Sequence, residues 1–177
     1  VNGVVGTPHE QGAGQTDVSK AVRAGLYLNV TDAQFKASNV NTANTLNLPT
    51  LGNSNCFESC VLNRTFTDMV GGGSYTVVSS LPAGVTMTPT SASVSFTNGQ
   101  AQSLGFTFNV VAASNLLGKW VYGSVTLQNT TPANGRPNLT LPVAIFSSPY
   151  SNSNNAITSI SQTVTTERGF FDYSFTG

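Results

Sequence analysis

Apolar and polar residues alternate along much of the chain from Leu46 to Phe146, the period of two that half-buried strands show. Leu62 and Phe66, with Leu51 before them, point one way with polar residues between. Met69-Val70-Gly71-Gly72-Gly73 interrupts the run and residues 74–80 restart it. Leu81-Pro82-Ala83-Gly84 reads as a turn. Val85, Met87 and Pro89 form a short strand that belongs at an edge, because proline cannot donate to a ladder. Val94 and Phe96 alternate up to Asn98-Gly99, and Leu104, Phe106, Phe108 and Val110 alternate away from it. Residues 91–111 are therefore predicted to form a hairpin closed by that dipeptide. Residues 120–127 and 139–145 supply further strands on either side of a loop over 128–138.

Before Leu46 two short helical patterns appear. Val18, Ala21 and Val22 make one stripe within residues 16–25, where Thr16 or Asp17 can cap the first N–H groups and Gly25 can supply a left-handed stop. Lys20 and Arg23 lie toward the C-terminal end, which the helix dipole favours. Thr31 with Gln34 three residues on is a capping-box pattern, predicting a second short helix from Asp32 to Ser38 before an Asn-rich stretch over 39–44. With about seven strands at intervals of about 8–12 residues, the fold class is mainly β, an immunoglobulin- or fibronectin-III-like sandwich. It is expected over residues 46–147, after a connector with one or two short helices in 1–45. Within 148–177, residues 149–155 read as a linker, and Ile157, Ile160, Val164, Phe170, Phe171, Tyr173 and Phe175 as a further β-segment. That segment belongs either to the sandwich or to the start of another domain.

Composition narrows the function classes. Only 8% of residues are charged, against a usual figure of about 25%, so the polar surface is built from Ser, Thr, Asn and Gln. Seven basic and seven acidic residues leave no net field to recruit a polyanion, which argues against nucleic acid. No stretch approaches the roughly 20 apolar residues needed to span a bilayer. The start, Val1-Asn2-Gly3-Val4-Val5, has neither an initiator Met nor a basic n-region, and reads as internal to a longer chain, with any export signal upstream. Cys56 and Cys60, in Asn-Ser-Asn-Cys-Phe-Glu-Ser-Cys, are predicted to form a local disulfide, which implies an oxidising compartment. The rival is a metal site, but zinc wants four ligands and the one His, His9, is distant in sequence.

Catalytic and cofactor chemistry is not legible. His9 stands in Thr7-Pro8-His9-Glu10-Gln11 with no metal-like partner at helical spacing, and no Gly-x-Ser-x-Gly elbow occurs. The carboxylates Glu10, Asp17, Asp32, Glu58, Asp68, Glu167 and Asp172 are scattered. Gly71-Gly72-Gly73 and Gly12-Ala13-Gly14 lack the Lys-Ser/Thr of a phosphate loop, so the first reads as a flexible interstrand turn and the second as close packing before a helix. No catalytic residue, cofactor or metal is therefore expected. Trp120 and Tyr122 are the candidates for a binding surface, against the favoured alternative that one of these rings fills the centre of the sandwich.

The run from Thr7 to Leu26, with Gly12-Ala13-Gly14, Ala21 and Gly25-Leu26, resembles the segment that closes the catalytic domain of large secreted subtilisin-like serine proteases. Leu46-Asn47-Leu48-Pro49-Thr50-Leu51 is similar to the entry of that family's fibronectin-III-like domain, and Asn63-Arg64-Thr65-Phe66-Thr67 to its Arg-Thr strand. Ser74-Tyr75-Thr76-Val77, Pro82-Ala83-Gly84-Val85, Phe106-Thr107-Phe108 and Tyr122-Gly123-Ser124-Val125-Thr126-Leu127 follow in the family's order. Asp68 and Met69 depart from the usual Asn and small residues after the Arg-Thr strand. The family's Gly-Thr-Ser, His and Asp catalytic motifs are absent, so no functional residue carries over. The resemblance implies a non-catalytic accessory module of a secreted, bacterial serine endopeptidase. Its implied partner is the catalytic domain of the same precursor, with protein substrate or self-association as further partners. The alternative is an adhesion or carbohydrate- or protein-binding sandwich using Trp120 and Tyr122.

Overall fold

The computed structural model describes residues 6, 10, 17–110 and 115–149. His9, Gly12-Ala13-Gly14, the linker beyond Pro149 and the expected β-segment after it lie outside the described residues. Helix α1 spans Val18–Ala21, shorter than its sequence pattern, with the Asp17 carboxylate accepting from Lys20 N at 3.1 Å. Gly25 does not adopt a positive φ. Its bareness serves close approach instead, because a Cβ there would collide with the Tyr75 hydroxyl and lie 2.9 Å from the Arg136 side chain. Strand β1, Leu26–Tyr27, follows. Helix α2, Asp32–Ala37, forms where its capping box predicts, with Thr31 Oγ1 accepting from Gln34 N and Thr31 N donating to Gln34 Oε1. A 3-10 turn at Ala43–Thr45 leads into the sandwich.

Eight longer strands follow, with a second 3-10 turn at Pro132–Asn134 before the last: β2 Leu51–Cys56, β3 Ser59–Asp68, β4 Gly73–Ser80, β5 Val85–Pro89, β6 Ser93–Phe96, β7 Ala101–Val110, β8 Trp120–Asn129 and β9 Leu139–Ser147. They form two sheets, of order β1-β3-β7-β5 and β2-β9-β8-β4-β6. β2 and β9 pair in parallel, and the other pairs are antiparallel. Leu62, Phe106, Phe108 and Val85 from the first sheet meet Leu51, Val77, Val125, Leu127 and Val143 from the second in one core. β5, with Pro89, is at an edge as predicted.

The expected hairpin over 91–111 is not one. β6 pairs with β4 in one sheet and β7 with β3 and β5 in the other. Asn98-Gly99 therefore sits in an arch that carries the chain across the sandwich, with Gly99 at φ 69°. The alternation is the same in a hairpin and in an arch, because both bury every second side chain. What differs is which strand takes the ladder bonds, and β6 takes them from β4.

Cys56 and Cys60 form a disulfide with a Cα separation of 5.2 Å. It joins the end of β2 to the start of β3, so it links the two sheets across the tight turn at Phe57-Glu58, where Glu58 takes φ 54°.

Phe106 is fully buried between the sheets. Phe106→Ala is expected to cost about 3–5 kcal/mol in urea unfolding, whereas a loss below about 1 kcal/mol would show that this ring is not central to the core.

Candidate functional site

Two charges face inward on β3. Positions 62, 64, 66 and 68 are all buried, so Arg64 and Asp68 share a row with Leu62 and Phe66. The charges need partners, since desolvating an ion costs several kcal/mol.

Asp68 Oδ2 accepts from the backbone N–H groups of Val70 (3.3 Å), Gly71 (2.9 Å), Gly72 (2.9 Å) and Gly99 (3.3 Å). One carboxylate oxygen thus joins the triglycine turn to the Asn98-Gly99 arch. Gly72 is required there, since its φ is 93° and a Cβ would lie 2.6 Å from Phe96 O. Burial pushes the Asp68 pKa up, but the four N–H groups outweigh it and hold the carboxyl below its ordinary value. Arg136 Nη1 lies 3.9 Å from Asp68 Oδ1, a charge contact too long for a hydrogen bond, while Arg136 Nη2 donates to Val70 O at 2.7 Å. Met69 N donates to Gly25 O at 2.9 Å, and Leu26 pairs with Asp68 itself. The connector is therefore fastened at the same point.

Arg64 is 2% exposed. It donates to the carbonyls of Leu48 (2.7 Å), Asn44 (3.2 Å), Asn63 (2.6 Å) and Thr50 (2.6 Å), with no carboxylate in ion-pair range among the described residues. Burial lowers its pKa to about 10, so it remains a cation at neutral pH. Three of those carbonyls belong to the segment that carries the chain into β2.

Arg64 also lines a groove of about 890 Å³, together with Trp120, Asn41, Asn44, Asn53 and Asn55. Trp120 projects from the outer face of β8, 45% exposed, and packs edge-to-face on Phe146 with ring centroids 5.6 Å apart. Tyr122 lies two residues along the same face, half-buried, and does not line the groove. Neither ring fills the centre of the sandwich, which corrects the favoured reading: Val121, Val125 and Leu127 are the inward residues of β8. Among the described residues the buried rings are Phe66, Tyr75, Phe96, Phe106 and Phe108. Among the described residues no three His, Cys, Asp or Glu side chains are grouped to hold a metal.

The sequence profile of the fibronectin type-III domain matches residues 45–145, more than half of the chain. The chain belongs to this family. No curated protein matches it significantly. Among solved structures, this fibronectin type-III chain is similar to a family 123 glycoside hydrolase from Clostridium perfringens, at 10% identity and a TM-score of 0.45 over 71% of this chain and 26% of that one. It is also similar to the secreted serine protease VesC from Vibrio cholerae, at 13% identity and a TM-score of 0.41 over 55% of this chain and 21% of that one. A third is PapD-like domain 7 of human CEP192, at 9% identity and a TM-score of 0.40 over 56% of this chain and 80% of that one. The chain thus spans about a quarter or less of the first two proteins. These likenesses are too distant to bear on what the chain does.

Because the folded pKa of Asp68 is depressed, its stabilisation is complete above the unfolded pKa of about 3.9 and is lost as pH falls through the folded value. Asp68→Ala is expected to cost roughly 3 kcal/mol at neutral pH and to flatten the stability loss seen on acidification below about pH 4. Equal acid slopes for the two proteins would contradict the cage.

Proposed function

We propose that the chain is the back part of a secreted subtilisin-like serine endopeptidase and is itself non-catalytic. Residues 1–45 are the tail of the catalytic domain and a connector, 46–147 an accessory fibronectin type-III domain, and 148–177 a linker with a further β-segment. The observation that carries this reading is the apolar stripe of α1. Val18 is 68% exposed, Val22 at the helix C-cap is 76% exposed, and no residue of α1 is buried. Apolar area left in water forgoes about 25 cal/mol per Å², and a stripe of this kind suits a face that another body covers. It lies within the residues that resemble the last catalytic-domain segment, immediately before the matched domain. The disulfide supports an oxidising compartment, and so secretion. As an accessory module the domain stabilises the catalytic body, shapes substrate access or mediates self-association.

The test is the gene together with the interface. A Gly-Thr-Ser motif is expected upstream of Val1 within about one domain length, roughly 100–150 residues. The catalytic domain encoded there should bind the chain, and Val18→Asp with Val22→Asp should weaken that binding at least tenfold without lowering the sandwich's melting temperature. An upstream domain of other chemistry, or casein hydrolysis by the isolated chain that a serine-directed inhibitor blocks, would overturn the reading.

A further inference from the structure

Two Asn-Gly dipeptides, Asn98-Gly99 and Asn134-Gly135, lie in exposed turns of the described residues, and the fold treats them oppositely. An asparagine followed by glycine can modify itself, because the glycine backbone nitrogen can attack the side-chain carbon Cγ with no Cβ beside it to obstruct the approach. The ring that forms has five members, so the step is intramolecular and needs no partner. Its rate depends on whether the nitrogen is free to lose its proton, and on whether the oxygen on Cγ is helped to carry charge.

At Asn98-Gly99 the nitrogen is not free. Gly99 N donates to Asp68 Oδ2 at 3.3 Å. The turn is also closed by Gln100 N donating to Thr97 O at 3.0 Å and Thr97 N donating to Gln100 Oε1 at 2.9 Å. Deprotonating Gly99 would set an amide anion against a buried carboxylate, like charge on like charge.

At Asn134-Gly135 both conditions are reversed. Gly135 takes φ 69°, no atom lies within 4 Å of a Cβ placed there, and its N–H has no acceptor among the described residues. Asn134 Oδ1 accepts twice, from Arg136 N at 2.9 Å and from Asn129 Nδ2 at 2.8 Å. A backbone N–H can only donate, so the Arg136 bond identifies that end of the amide as the oxygen. Asn129, the last residue of β8, is itself held, its N donating to Asn138 Oδ1 at 2.9 Å and its Oδ1 accepting from Thr131 N at 3.0 Å. The bond from Arg136 N belongs to the turn. The second donor, fixed at the end of β8, is what makes the Cγ carbonyl an electrophile. Two N–H groups aimed at one carbonyl oxygen stabilise the oxyanion that forms when a nucleophile adds to its carbon.

We propose that Asn134-Gly135 is a site of spontaneous deamidation, and that Asp68 protects the same dipeptide at Asn98-Gly99. Solvent base removes the Gly135 N–H proton, the nitrogen bonds to Asn134 Cγ, and the charge passes to Oδ1 between its two donors. The Cγ–Nδ2 bond then breaks and the nitrogen leaves as ammonia after taking a proton from water, which leaves a succinimide. Water opens that ring at either carbonyl and gives aspartate or isoaspartate at position 134. No oxidation or reduction is involved. The change delivers a negative charge to a chain whose formal net charge is zero. It falls where Arg23 Nη1 donates to Gly135 O at 3.2 Å, on a tie between the connector and the sandwich. The site stands apart from the parentage proposed above, since its chemistry needs no catalytic domain.

The intact chain is aged in mildly alkaline buffer at body temperature and then digested, and each Asn-Gly peptide is followed by mass spectrometry. Isoaspartate is scored with an isoaspartyl methyltransferase. Asn2-Gly3 lies outside the described residues and its peptide is scored separately. In the folded chain the peptide carrying position 134 is expected to convert about tenfold faster than the one carrying position 98. In guanidinium chloride, where donors and cage are both gone, the two rates should become equal. Asn129→Asp, which keeps the acceptor and removes the donor, is expected to slow conversion at position 134 about tenfold. Equal rates at the two sites in the folded chain would overturn the proposal. So would a difference that persists in guanidinium chloride, or an Asn129→Asp variant that converts as fast as the parent.

Discussion

Nearly every connection in this sandwich takes the chain from one sheet to the other. Of the consecutive strand pairs among the described residues, only β8 and β9 are neighbours in one sheet. Backbone that leaves a ladder to cross over a core loses its strand partners, and its N–H and C=O groups must find others. Here side chains provide them. The Asp68 carboxylate takes four N–H groups from the β3–β4 turn and the β6–β7 arch, and the Arg64 guanidinium takes four carbonyls, three from the approach to β2. Four hydrogen bonds to each ion offset the several kcal/mol that desolvating it costs. The disulfide does the same work covalently at the β2–β3 crossing.

These crossing points also determine what the surface can present. Arg64 draws the connector onto β2 and so forms one wall of the amide-lined groove, while Trp120 on β8 is steadied by Phe146 on the adjacent β9. Asp68 and Arg136 hold the triglycine turn, and through Met69 and Leu26 they hold the connector that carries α1. The α1 stripe and the Trp120 groove are thus each anchored by one inward charge of β3.

Much of the fold was legible because burial imposes a period of two whatever the topology. Val94, Phe96, Leu104, Phe106, Phe108 and Val110 are all inward, as their alternation required, and Thr31 with Gln34 marked a helix start by its capping chemistry alone. The arch was misread as a hairpin because Asn-Gly supplies a positive φ equally well to either. The inward charges were missed although they sit in register with Leu62 and Phe66, since a charged residue in an alternating row is ordinarily assigned outward. The only local sign was the triglycine turn after Asp68, whose successive free N–H groups call for an anion. Of the candidate site, Trp120 was visible as a lone indole, but the amides around it come from two separate segments that only the β2 crossing brings together.

If the crossings are held by these ions, loop amides should be as protected as strand amides. The direct measurement is native-state hydrogen exchange at Gly71, Gly72 and Gly99, which lie outside every strand but donate to Asp68. The account predicts opening free energies close to the global stability shown by β7 and β8. Exchange within about tenfold of the unprotected rate at these glycines, with β7 and β8 still protected, would contradict it.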